Sequence, residues 1–154
     1  MSTSAYADAL KLLARRELSE AQVRQRLARH GHDHSDIDDA VSRLKAERAL
    51  DDARVAEAIA RTETAVKRRG KLRVKRQIES AGIEQSTASR TVDEVFDSID
   101  SEELIASALK KRLREGAPIR DDRELQRLYR YLVGQGFEPE QVLKTLRRRQ
   151  AQPD

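Results

Sequence analysis

The chain has 154 residues, of which 38% are hydrophobic, and twenty of these are alanine; three Tyr and two Phe are its only aromatics. One thick, aromatic-rich core is therefore excluded in favour of a thin, extended one. There is no cysteine, which excludes disulfides, thiol catalysis and cysteine-ligated metal centres. Lys and Arg outnumber Asp and Glu by 31 to 27, and the net charge of +4 points to a polyanionic partner. No apolar run approaches the roughly 18–20 residues that span a bilayer, and no signal pattern opens the chain, so a soluble cytoplasmic protein is expected.

In chain order the apolar residues recur at helical spacing. A first helix carries Tyr6, Leu10 and Leu13. A second starts at Ser19, with Gln22 three residues on as in a capping box, and buries Val23 and Leu27 before Gly31. Ser35 and Asp38 have the same cap spacing and open a third, with Ile37, Val41 and Leu44 as its stripe. The fourth begins after Asp51-Asp52, with Val55 and Ile59 on its face. The fifth pairs Val74 with Ile78 and stops at Gly82, and Ser86 is the expected N-cap of the sixth. Ser101 opens the seventh, with Leu104, Ala108 and Lys111 in register. The eighth pairs Leu128 with Leu132 and stops at Gly136; the ninth starts at Pro139 and buries Val142 and Leu146. No segment has the β-branched and aromatic enrichment of a strand.

Three of these segments align without gaps: Val23–Leu44, Val74–Val95 and Leu128–Arg149, offset by 51 and 54 residues. Each starts apolar, is apolar again four residues on, and reaches Gly eight residues on. A period near 50 is the mark of stacked helical units. The expected fold is all-α: three tandem three-helix repeats (1–50, 51–99 and 100–150) stacked into an elongated, curved rod, with 151–154 a disordered tail.

The densest charge is "RRGKLRVKR", residues 68–76, with six cations and no acid. Val74 points inward with Ile78, so Arg73, Lys75 and Arg76 point elsewhere. A solvated helix face accounts for such a run as readily as a phosphate contact does. Further clusters are Lys110, Lys111, Arg112 and Arg114; Arg147, Arg148 and Arg149; and a looser group of Arg15, Arg16, Arg24, Arg26 and Arg29. Basic residues near helix C-termini also favour the helix dipole, which accounts for Arg147–Arg149.

Other constellations carry less. The Gly-turn-helix outline resembles a helix-turn-helix, but "SDIDDAVSRL" is acidic where a recognition helix would read bases. His30, His32 and His34 straddle a helix end and read as turn histidines rather than metal ligands. Asp51-Asp52 and Asp121-Asp122 precede helices, where carboxylates cap free N–H groups rather than catalyse. "RRGKL" lacks the first glycine of a phosphate loop and has Leu72 where Ser or Thr would hold magnesium, so no ATP site is expected.

Taken together the segments resemble the RecX family of recombinase regulators. The opening "YADALKLLARRELSEAQVRQRLARHG" is similar through Tyr6, Ala9, Leu10, Leu13, Arg16, Ser19, Leu27 and Gly31. The middle is similar through Asp51, Asp52, Val55, Ala56, Arg61, Gly70, Val74, Ile78 and Gly82-Ile83, and "RLYRYLVGQGFEPEQVLKTL" resembles the last unit. Val55 and Ile59 stand where the family usually has Phe, Gln77-Ile78 where it has Glu-Leu, and His32 where it has Phe or Tyr; the apolar pattern is kept. The resemblance implies a monomeric, non-enzymatic protein without cofactor that binds RecA recombinase and its filament on DNA and restrains ATP hydrolysis and strand exchange. It also implies non-specific contact with single- and double-stranded DNA. With it, contact with DNA or recombinase is expected at Arg68, Arg69, Lys71, Arg73, Lys75, Arg76, Lys110, Lys111, Arg112, Arg114, Arg147 and Arg148.

Overall fold

A computed structural model describes residues 3–151. Its regular structure is entirely helical: α1 (Ala5–Arg15), α2 (Glu20–Arg29), α3 (His34–Ala46), α4 (Asp52–Ala65), α5 (Lys71–Ser80), α6 (Gln85–Asp97), α7 (Ser101–Leu109), α8 (Asp122–Gly134) and α9 (Pro139–Ala151). The fold is an all-α helical repeat. The described residues pack as two compact units, each discontinuous in sequence. The first comprises the described part of Met1–Ala58 with Ile78–Thr91; the second comprises Ile59–Gln77 with the chain from Val92 onward.

In the first unit α1, α2 and α3 close around Leu18, Val23, Leu27, Val41 and Leu44, all almost fully buried. The stripe expected on α3 is the buried one. On α1 it is shifted: Ala5 and Ala9 are buried, Tyr6 and Leu13 pack beside them, and Leu10 is 40% exposed. Small alanines let α1 lie close, and Leu10 falls on the outer side of that contact. Ser19 caps α2 with the full reciprocal box to Gln22. Its hydroxyl also donates to the carbonyl of Ala81. Two expected caps are displaced. α3 starts at His34 behind Asp33, which makes no side-chain cap bond, so Ser35 lies inside the helix. α6 starts at Gln85, which puts Ser86 in its first turn.

The second unit has its core where α7, α8 and α9 meet, around Ile105, Leu128, Leu132, Phe137, Val142 and Leu146. α7 is capped by Asp100 and ends at Leu109, so Lys111 lies past its end and Ile105 and Leu109 fill the core beside Ala108. Pro139 is the first residue of α9. Ala151 closes α9; the rest of the expected tail, 152–154, lies outside the described residues.

Gly136 ends the α8–α9 turn with φ of +101°. That left-handed conformation is strained for any residue with a Cβ. Phe137 then folds back into the core at 4% exposure.

Candidate functional site

The basic run 68–76 is a joint of the second unit. α4 ends at Ala65, and Arg68 turns the chain with φ of +55°. Gly70 N–H then donates to the Gln135 carbonyl at 2.9 Å, and Leu72 N–H donates to the Gly136 carbonyl at 3.0 Å. Main chain docks on main chain here. A Cβ on Gly70 would sit 2.5 Å from Gly136 C and Phe137 N, so only glycine fits.

The cations around this joint serve it. Arg69 donates to the Glu63 carboxylate at 2.8 Å, and Lys67 joins it at 3.1 Å. The Glu63 side chain is only 4% exposed. Burial pushes its carboxyl up, but Arg69 and then Lys67 outweigh that and hold it below the ordinary carboxylate value. Arg73 donates to the Gly134 carbonyl at 3.1 Å, satisfying the end of α8. Lys71 pairs with Asp93 at 2.7 Å, in a solvent-exposed geometry that contributes little. Arg68 reaches the Ser107 carbonyl at 3.5 Å. Lys75 is half-buried and Arg76 exposed.

Two other clusters, distant in sequence, are brought together. Arg149 near the end of α9 donates to the carbonyls of Ala117 at 3.0 Å and Arg114 at 3.2 Å. This ties the end of α9, with exposed Arg147 and Arg148, to the segment after α7 that carries Lys110, Lys111, Arg112 and Arg114, all exposed. Arg112 stacks over the Tyr131 ring of α8 at 4.5 Å. Arg148 meets Glu102 at 3.3 Å and Lys110 meets Glu115 at 3.7 Å, both at the surface.

α8 itself carries a basic face that the charge clusters of the sequence do not mark. Arg123, Arg127 and Arg130 are exposed and spaced by four and three residues, which puts them on one helix face. None of the three has a hydrogen bond or ion pair among the described residues. The signal was present as R-x3-R-x2-R, interleaved with the buried Leu125, Leu128 and Leu132.

Charge also divides between the units. The first holds 11 Lys and Arg against 13 Asp and Glu, net −2; the second holds 20 against 14, net +6. In the first unit Arg24 is held by Asp38 at 2.6 Å, while Arg15, Arg16 and Arg29 are exposed.

The remaining constellations are structural. Asp51 accepts the N–H groups of Ala53 and Arg54 and caps α4. Asp52 accepts Glu20 N–H at 2.8 Å, at the start of α2, and burial raises its carboxyl. Asp121 caps α8 through Glu124 N–H. The ring nitrogens of His30 and His32 lie 2.7 and 2.8 Å from one carboxylate oxygen of Asp8 on α1. Burial raises the Asp8 carboxyl, but the two imidazoles prevail and hold it below its ordinary value. Among the described residues no group of three or more potential ligands is arranged to hold a metal ion, and no helix is long and apolar enough to cross a membrane.

Comparison with known proteins adds to this geometry. Residues 5–44 match the family model for the RecX first three-helix domain, and residues 100–146 match that for the RecX third three-helix domain. "Regulatory protein RecX" of Chromohalobacter salexigens is 33% identical over 135 residues, covering 88% of this chain and 86% of that one. "Regulatory protein RecX" of Halorhodospira halophila is 32% identical, covering 87% and 81%. The crystal structure of RecX from Lactobacillus salivarius shares the fold, with a TM-score of 0.81 over 93% of this chain and 94% of that one at 17% identity. The helical repeat, the two matched three-helix domains and the near full-length relatives together place the chain in the RecX family of regulatory proteins.

Proposed function

We propose that the chain is a non-enzymatic regulator of the RecA recombinase, binding the RecA–DNA filament and chiefly inhibiting its ATP hydrolysis and strand exchange. Membership of a family whose curated relatives are named regulatory proteins is the observation that carries this reading. Its three repeats, 1–50, 51–99 and 100–150, act as domains. Its contacts with DNA or recombinase come from the basic residues of 68–76, 110–114 and 147–148, and the net +6 of the second unit supports a polyanionic partner there. The chain acts on ATP turnover through its partner, because "RRGKL" is a main-chain joint and not a phosphate loop.

The test is ATP hydrolysis by a preformed RecA filament on single-stranded DNA, with this protein well below one copy per recombinase. Inhibition at such ratios is expected. An effect that appears only as the protein saturates the DNA means simple competition by a general DNA-binding protein, and the recombinase reading is dropped.

A further inference from the structure

We propose that the outer face of α8, formed by Arg123, Arg127 and Arg130, is the principal nucleic-acid backbone contact of the second unit, extended by the Lys110–Arg114 segment. It rests on the filament-binding reading and relocates its DNA contact away from residues 68–76.

Availability separates the α8 arginines from the 68–76 run. In the 68–76 run Arg69 is committed to buried Glu63 and Arg73 to the Gly134 carbonyl, and Lys71 is paired with Asp93. Turning Arg69 or Arg73 outward to phosphate would break bonds that hold the unit together. The three α8 arginines are exposed and hold no partner among the described residues. Fully charged guanidinium groups suit phosphate, which accepts two parallel N–H bonds from each.

The spacing of the three arginines also suits a phosphate backbone. From Arg123 to Arg130 the helix rises about 10 Å, the axial length over which one strand of a duplex carries about three phosphates. An evenly spaced row fits a regular polyanion. At helical spacing Gln126 and Gly134 lie on the same face, and no acid interrupts it.

The arginine row is also continuous with the other cations of the second unit. Tyr131 lies one helical turn beyond Arg127, and Arg112 stacks on its ring. That stack carries Lys110, Lys111 and Arg114 up to the arginine row, and Arg149 fastens the end of α9 to the same segment. The charge division puts this surface on the positive unit.

The test is fluorescence anisotropy of a labelled thymidine oligonucleotide across a salt series. It compares wild type with the triple variant R123Q/R127Q/R130Q and with a charge-matched triple on the first unit, K11Q/R48Q/R90Q. Gln keeps the helix propensity of α8, and an unchanged circular-dichroism spectrum verifies the fold. The α8 triple is expected to lower affinity and to reduce the slope of log K against log salt by about two, at ~0.7 per phosphate of a single strand. The matched triple is expected to leave the slope within about half a unit of wild type. An unchanged slope in the α8 triple, or equal losses in both, overturns the proposal. So does a variant that binds DNA normally but has lost affinity for DNA-free recombinase, which would make the row a protein contact. Filament ATPase assayed with wild type separates the two readings. No inhibition, together with the slope loss, leaves the α8 surface standing and removes the recombinase reading; inhibition with an unchanged α8 slope does the reverse.

Discussion

Replacing Gly70 by alanine tests the main-chain joint directly. Gly70 does not require a left-handed backbone, so the substitution carries no intrinsic strain and collision is its only cost. The new methyl would lie 2.5 Å from Gly136 C and Phe137 N and 2.6 Å from Gly136 O. Ordinary carbon contacts need about 3.5 Å or more, so the joint must open by about 1 Å. The Gly70–Gln135 and Leu72–Gly136 bonds, at 2.9 and 3.0 Å, would then exceed hydrogen-bonding distance. At about 1 kcal/mol each they account for about 2 kcal/mol. Loosened packing of Phe137 adds to this, and the stiffer unfolded chain returns about 0.4–1 kcal/mol. The net expectation is a loss of about 2 kcal/mol, read from urea midpoints at constant m.

Two controls calibrate the value. Gly31, with φ of +88° and nothing within 4 Å of an added Cβ, should lose only the left-handed strain of about 1–2 kcal/mol when changed to Ala. Gly134, helical and equally open, should gain about 0.5–1 kcal/mol. Gly70→Ala behaving like Gly134→Ala would refute the close approach and the joint built on it.

Glu63→Gln should destabilise by about 1–3 kcal/mol, because it leaves Arg69 facing a neutral amide in a largely desolvated place; chemical denaturation of the variant alone and with Arg69→Gln tests this, and additive losses would show that the pair does not couple. Asp8 has a depressed carboxyl in the folded chain, so its contribution is present above the unfolded value near 3.9 and is lost as pH falls through the lower folded value. The stabilities of wild type and Asp8→Asn should therefore differ near neutral pH and converge in acid. A gap that stays constant through the acid range would show that the His30–Asp8–His32 cluster contributes through packing alone.

The periodicity of the sequence carried most of the fold. The buried positions of α3, α5 and α9 fell where helical spacing put them, because Ile37, Val41, Val74, Ile78, Val142 and Leu146 are large enough to define a face. α1 misled for the opposite reason: its contact is made by Ala5 and Ala9, and the larger Leu10 drew attention to the wrong side. Caps were legible when the side chain bonded, as at Ser19, and illegible at α3, where Asp33 holds the position without a side-chain bond.

The site was legible only as composition. Residues 68–76 contain no acid, which made them look uncompensated; their acids, Glu63 and Asp93, lie outside the window and arrive by folding. The α8 row escaped notice because leucines separate its arginines. A charge window dilutes such a row, whereas a helical projection gathers it. The meeting of 110–114 with 147–149 depends on carbonyl acceptors, which no side-chain pattern records.

The interleaved composition of the two units sets an order of events on the ribosome. Residues of the α1–α3 core all precede Asp51, so that core can assemble as soon as they emerge. Ser19 then waits for the Ala81 carbonyl, about 60 residues further on, or roughly 3–12 s at ordinary elongation rates of about 5–20 residues per second. The amides of Gly70 and Leu72 wait about as long again for Gln135 and Gly136. A nascent chain halted before Gln135 would hold a finished first core while the start of α5 still lacked its acceptors. Emergence of the α8–α9 turn is thus the step that lets the joint at Gly70 close, and α9 must follow to complete the second core.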